Sequence, residues 1–343
     1  MECKSNLSLE LVQVLFRHGD RTPNQLEASI DDSDKHLYEP YGYAQLTPNG
    51  MRTVYKLGQM LRKRYNAFLQ DYKPEHVWAF SSNTDRAKTS LDLVLAGLYP
   101  PTETSRWNDS LPWRPIPTHY SSEPSNYLMM PFSSIHFQKE IERVNSRPEV
   151  KKKWSKFERL IALLKDNTKL SFQNRLEILI VFGKIRNSLS MGGDLPRWMS
   201  PEALDELHEA AILAFQMMFH NDFLLRLNCG PMLKEIIARM SEHTEGRSER
   251  KIVLHSAHDI NVAGFLHAYE LDGVAPLPEY GAAVIVKKFR NEADERFVQL
   301  MYWTGVSEKL IPMKLPGCGS LCTVEHYAKV VEHLLPTEAE RLE

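Results

Sequence analysis

The chain has 343 residues, enough for one large domain or two, and its 43% hydrophobic and 25% charged residues are those of an ordinary soluble globular protein. A net charge of −2 excludes the global positive field that binds nucleic acid or an anionic membrane surface, so any anion site must be built locally. No apolar run approaches the roughly 18 residues of a membrane span, "LEILIVFG" at 176–183 being far too short.

In chain order, "MECKSNLSLE" lacks the apolar core of a signal peptide, which leaves a cytosolic protein or a mature secreted chain restarted at an added Met1. The sequon Asn6-Leu7-Ser8, with Asn108-Asp109-Ser110 further on, leans toward the secreted reading and marks Asn6 and Asn108 as glycosylation candidates. "LELVQVLF" (9–16) is a near-continuous apolar run, as in a central strand covered on both faces. It breaks at Gly19 into a polar loop. A helix follows, capped by Thr47 with Pro48 in its first turn, and Leu57, Met60, Leu61, Tyr65 and Phe68 recur at helical spacing. "EHVWAFSS" (75–82) predicts a second buried strand leading to a helix that ends near Tyr99. Between about 105 and 225 the strand signal disappears, and segments such as "EALDELHEAAILAFQMMF" predict a helical insertion. The run Lys151–Lys153 within it reads as a solvated helix face. Then come an amphipathic helix (232–243), a third strand in "KIVLHSAHD" (251–259) and another helix (260–271). "YGAAVIVKKF" and "RFVQLMYWTGV", joined by "RNEADE", predict an antiparallel hairpin at one side of the sheet. The expected fold class is α/β, a doubly wound mixed sheet, with residues 1–104 and 226–343 as core and 105–225 inserted.

In open α/β sheets ligands bind beyond the carboxyl ends of the strands. Three predicted strands deliver polar groups there: Arg17, His18 and Arg21 after the first, Arg86 after the second, His258 and Asp259 after the third. If these strands are neighbours, three arginines and two histidines converge beside one carboxylate. Guanidinium forks match phosphate oxygens and offset charge on a transferring phosphoryl group. Positive neighbours lower the pKa of a histidine among them, so it is neutral and can attack phosphorus. Asp259 is the acid these motifs offer to the leaving alcohol, apart from Asp20. Arginine takes the part a metal would play, so neither a metal nor another cofactor is called for.

"RHGDRTP" resembles the R-H-G-x-R-x-P signature of the histidine acid phosphatases, and "HSAHD" resembles their second, H-D signature. "LPWRPIPTHY" and "LPGCGSLC" are similar to further segments of that family, whose prostatic, lysosomal and arthropod members look nearest. The resemblance implies an α/β domain with an α-helical cap and a phosphohistidine mechanism acting on small phosphomonoesters. His18 would be the nucleophile and Asp259 the proton donor, with Arg17, Arg21, Arg86 and His258 holding the phosphate. It implies a secreted or lysosomal protein, often a homodimer, with no nucleic-acid or membrane partner. Of the four cysteines, Cys318 and Cys322 lie within easy reach of each other on a Gly-rich turn and match a family disulfide. Cys3 and Cys229 have no assignable partner, and Ala282 and Ala283 stand where a family cysteine is expected nearby. Four free thiols in a reducing compartment is the alternative.

The loop after the signature holds Glu27, Asp31, Asp32, Asp34 and Glu39 against the single lysine Lys35. Such an acidic rim would repel inositol hexaphosphate and favour simple phosphomonoesters. Two alternatives are weighed. A phosphoglycerate-mutase-like enzyme is disfavoured by the H-D pair and the long insertion. The other is a secreted binding protein that sequesters phosphorylated ligands on the same scaffold.

Overall fold

The computed structural model describes residues 7–31, 33–121, 129, 134–271, 273–307 and 309–337. Asn6, Asp32 and Cys3 therefore lie outside the described residues. The strands are β1 (Ser8–Arg17), β2 (Val77–Ser81), β3 (His119–Tyr120), β4 (Ile252–Ala257), β5 (Ala283–Arg290), β6 (Arg296–Trp303), β7 (Leu310–Met313) and β8 (Cys322–Thr323). They form one mixed sheet in the order β3-β2-β4-β1-β5-β6-β7, with β8 on β6. β1 to β4 run parallel, and β5 to β8 pair antiparallel. The predicted hairpin is β5–β6, in register from Ala283↔Trp303 to Arg290↔Arg296.

β1 is apolar from Leu11 to Phe16, apart from the buried Gln13, because both its faces are covered. Leu11 and Leu15 point into one core, while Val12, Val14 and Phe16 point into the other. Each such side chain taken fully out of water contributes about 1.5–3 kcal/mol. Two helices, α2 (Pro48–Leu69) and α3 (Asp85–Leu98), fill the second face through Val54, Leu57, Leu61, Leu91 and Val94. The first face is filled by α9 (Asp222–Thr244), α10 (Asp259–Ala268) and α11 (Val324–Val330).

The remaining helices are short α1 (Gln25–Ala28) and five that follow β3: α4 (Ile135–Ser146), α5 (Pro148–Trp154), α6 (Glu158–Asn167), α7 (Glu177–Ser190) and α8 (Pro201–Met217). Those five bury their own apolar cluster, which also takes in Leu224 of α9 and Ile260 and Ala263 of α10. The helical layer is thus packed onto the helix that carries Asp259. β3 was not anticipated: two exposed residues are too few to show a period of two. α9 begins ten residues before the predicted helix and runs through Pro231, with Leu224 anchored in one core and Leu233 in the other.

α2 starts as its sequence dictates, with Thr47 Oγ1 accepting from the Gly50 N–H at 3.1 Å. Its first turn touches the turn after β1. A Cβ on Gly19 would lie 2.4 Å from the Gly50 carbonyl oxygen, and one on Gly50 would lie 2.1 Å from that of Asp20. Two glycines are needed because two backbones meet there, and this contact places the residues on either side of Gly19.

Candidate active site

β2, β4 and β1 are adjacent, so their carboxyl ends open on one volume. Cα partners Arg17↔Ala257 and Ser81↔Ser256 set His18 beside His258, and their ring centroids are 5.3 Å apart. His18 is held by its backbone, donating N–H to the Ala257 carbonyl at 3.0 Å and accepting from the Gly281 N–H at 3.1 Å. Its Nδ1 lies 2.8 Å from the Gly19 carbonyl. A carbonyl only accepts, so Nδ1 carries the proton and the Nε2 lone pair is left to face the pocket. There the Arg86 Nε–H donates to it at 3.0 Å. Burial, then the positive charges of Arg86, Arg17 and Arg21 and the neighbouring His258 ring, hold the His18 pKa well below the ordinary imidazole range. The lowered pKa and the Arg86 N–H facing Nε2 both favour the neutral imidazole.

The arginines are fixed from behind. Arg17 gives Nη1–H to the Pro278 carbonyl at 2.6 Å and pairs through Nη2 with Asp259 at 2.7 Å. Its guanidinium also lies 3.9 Å from the centre of the Tyr280 ring, which is 5.7 Å from His18. Arg21 makes a two-bond fork with the buried carboxylate of Glu27, at 2.6 and 2.8 Å. The Nε–H groups of Arg17 and Arg21 are both buried and find no hydrogen-bond partner among the described residues. Buried charged donors without an acceptor are costly, and an anion between them would satisfy both. Arg86 loses affinity for its proton chiefly through burial, next through Arg21, which brings its pKa down to about 10. It stays charged at any working pH.

His258 caps α10, and Asp259 is that helix's first residue. His258 Nε2 lies 2.8 Å from Ser82 Oγ, at the end of β2. Burial first, then Arg86, pushes its pKa down to about 3, so it too is neutral. Asp259 keeps 35% of its side chain open to the pocket. Burial works to raise its carboxyl, but Arg17, His258, the Ile260 N–H and Arg21 outweigh burial and hold it below the usual range. All six residues picked out at the strand ends are thus brought together.

The acidic rim needs correction. Glu27 is not a free charge at the entrance but the buried partner of Arg21, and Asp34 is paired with buried Lys184 of α7. Asp31 is half-buried and Glu39 exposed, and these two are what remains of the rim among the described residues. The charge argument against highly phosphorylated substrates is weakened accordingly. A signal for Glu27 was present: Asn24 and Glu27 form a capping box at α1, the N-x-x-E pattern of a helix start. Sequence reasoning also missed Ser82, although it closes the predicted second strand, and Tyr280 and three residues of α7, Lys184, Arg186 and Asn187, whose local spacing does not point at the strand ends.

Lys184 bonds Asp34 and donates to Tyr38 Oη at 2.6 Å, while that hydroxyl donates to Asp34 at 2.7 Å. Lys184→Met leaves the largely buried Asp34 without its cation. We expect a loss of about 3–5 kcal/mol, read as a lower urea midpoint. An unchanged midpoint would show that this ion pair does not hold α7 to the loop.

Cys318 and Cys322 form a disulfide on the turn before α11. Cys229 is buried and unpaired, its thiol pushed up by burial. Asn108 is exposed. Among the described residues no helix is long and apolar enough to cross a membrane.

Several known proteins are similar to this chain along most of its length. The chain is 33% identical to the venom acid phosphatase of Apis mellifera over 341 residues, 97% of this chain and 87% of that one. It is 31% identical to the prostatic acid phosphatase of Homo sapiens (96% and 86% covered) and 27% to the human lysosomal acid phosphatase (96% and 79%). Among solved structures, the phytase of Hafnia alvei with myo-inositol hexakis sulphate has a similar fold, with a TM-score of 0.72 at 14% identity over 97% of this chain and 98% of that one. Residues 8–303 match the family model of the histidine phosphatase superfamily, branch 2, and the chain belongs to that family.

Proposed function

We propose that the protein is an acid phosphatase that hydrolyses phosphomonoesters through a phosphohistidine on His18. One observation carries the reading: a neutral His18, with its proton fixed on Nδ1, presents the Nε2 lone pair among Arg17, Arg21 and Arg86. Nε2 attacks phosphorus in line with the ester oxygen, and the P–O bond breaks as the N–P bond forms. Arg86, now bonded to His18, would transfer its N–H to a phosphate oxygen. The unpartnered Nε–H groups of Arg17 and Arg21 supply two further donors, and His258 a fourth contact.

Asp259, at the open side, protonates the departing alkoxide. Its ion pair with Arg17 keeps it ionised in the free protein. The proton therefore has to arrive with the substrate, as the ester monoanion, or when the phosphate draws Arg17 away. Asp259 then takes a proton from the water that attacks phospho-His18, and inorganic phosphate and free His18 result. Phosphate monoesters lose their second proton near pH 6, so kcat/KM should fall as pH rises beyond about 6. On the acid side the lowered His18 pKa preserves the nucleophile.

The helical layer after β3 would serve as the cap that shapes the entrance, since α7 reaches both Glu27 and Tyr280. Relatives named for venom and for the lysosome support a secreted or lysosomal location, and exposed Asn108 is a site where glycan could attach.

The test is p-nitrophenyl phosphate hydrolysis from pH 4 to 8 with a chelator present. Turnover that peaks in acid and survives the chelator is the expected result. Chelator-sensitive turnover overturns the mechanism, and phosphate binding without turnover would favour the sequestering protein.

A further inference from the structure

We infer that Asn187 of α7, outside the six strand-end residues, is the positioning residue that aligns both arms of the phosphate cradle. This rests on the phosphatase reading above. The Asn187 side chain is fully buried. Its Oδ1 accepts from the Tyr280 hydroxyl at 2.7 Å, and its Nδ2 donates to Glu27 Oε2 across a longer 3.4 Å. A carboxylate only accepts, so the end facing Glu27 must be the NH2 and the orientation of the amide is determined.

Each partner leads to one arm. Glu27 Oε2 is the oxygen that takes Arg21 Nη1–H at 2.6 Å and the Asn24 N–H at 2.8 Å. The Tyr280 ring carries Arg17 at 3.9 Å and lies against His18. The amide thus ties the ring under Arg17 to the carboxylate behind Arg21. α7 itself is locked in register at this place. Gly183, four residues earlier on the same face, brings the helix so close that a Cβ there would stand 2.6 Å from Glu27 Oε1. Lys184 binds Asp34 on one side of α7, and Arg186 binds Glu279 on the other while stacking 4.9 Å from the Tyr280 ring. The charged and titratable groups on the two partners of the amide are Glu27 with its Arg21, and Arg17, Arg186 and His18 against the Tyr280 ring; Lys184 with Asp34 and Glu279 with Arg186 are paired beyond them. Asn187 touches no reacting atom; it acts through Tyr280 and Glu27.

The experiment measures kcat, KM, the inhibition constant of inorganic phosphate and the urea midpoint for wild type, N187L, Y280F, their double variant and N187D. A small displacement of a positioned group costs up to about 100-fold in rate, so N187L should lose about 10- to 100-fold in kcat/KM, with phosphate inhibition weakened alongside. Y280F should lose less, and it should add nothing in the N187L background, because both changes break one connection. N187D keeps the acceptor for Tyr280 but sets a second carboxylate beside Glu27. Like charges raise its pKa, so it is a neutral near-copy of the amide in acid and a charged intruder at neutral pH. Its deficit relative to wild type should grow from pH 4 to pH 7. A folded N187L with unchanged kcat/KM and phosphate affinity overturns the inference. If N187L does not fold, a pH-independent N187D deficit, or a Y280F with wild-type phosphate affinity and kcat/KM, overturns it instead. Failure of the phosphatase reading shows separately, as a wild type without turnover.

Discussion

His18→Ala is expected to lower p-nitrophenyl phosphate turnover by roughly 10⁴-fold or more while the fold and phosphate binding persist. The nucleophile cannot be replaced from nearby. His258, the neighbouring imidazole, has Nε2 against Ser82 and caps α10, so it is not directed at the same point. The arginines would still gather an anion, and without the imidazole Arg86 is free to bond it. Steady-state assay of the variant, with phosphate affinity measured calorimetrically, separates the two contributions. Turnover within tenfold of wild type would mean that another group attacks phosphorus.

Asp259→Asn is expected to be the second most damaging change, and its effect depends on the leaving group. An amide cannot deliver the proton, so an alkyl phosphate such as glycerol phosphate should lose about 10²–10⁴-fold. p-Nitrophenolate leaves without protonation, so the first step with that ester should be nearly spared. The second step still needs a base for water. The variant should therefore release a burst of p-nitrophenol and stall as phospho-His18, which rapid-quench analysis of phosphate-labelled protein detects. Phosphate itself should bind at least as well, because Arg17 loses the carboxylate that engages it at 2.7 Å. Equal losses on both esters with no burst would remove Asp259 from both proton transfers.

How far the chain can be read without its fold is clear from individual residues. The strands around the site announce themselves because burial on two faces demands nearly continuous apolar stretches, as in "LELVQVLF" and the "IVL" that opens the strand in "KIVLHSAHD". The hairpin β5–β6 and the cap on α2 follow from equally local rules. The two-residue β3 and the passage of α9 through Pro231 do not, since each depends on a partner distant in sequence: β2 in one case, two separate cores in the other.

The site divides in the same way. Arg17, His18, Arg21, Arg86, His258 and Asp259 are legible because each lies on a strand end or just after one, where the fold class directs ligands. What fixes them is not legible. Glu27 looks like one of several loop acids, and only the approach of Arg21 and α7 turns it into a buried partner. Lys184 looks like a helix surface residue until Asp34 and Tyr38 close over it. By itself, then, the sequence determined five of the eight strands, the residues gathered at the strand ends and the family, because local burial and charge write these into neighbouring residues. The tertiary structure alone decided which carboxylates face solvent and which are neutralised, and that Asn187, some 170 residues beyond His18, spans the two arms of the cradle. Such pairings form between segments remote in sequence, and no local pattern records them.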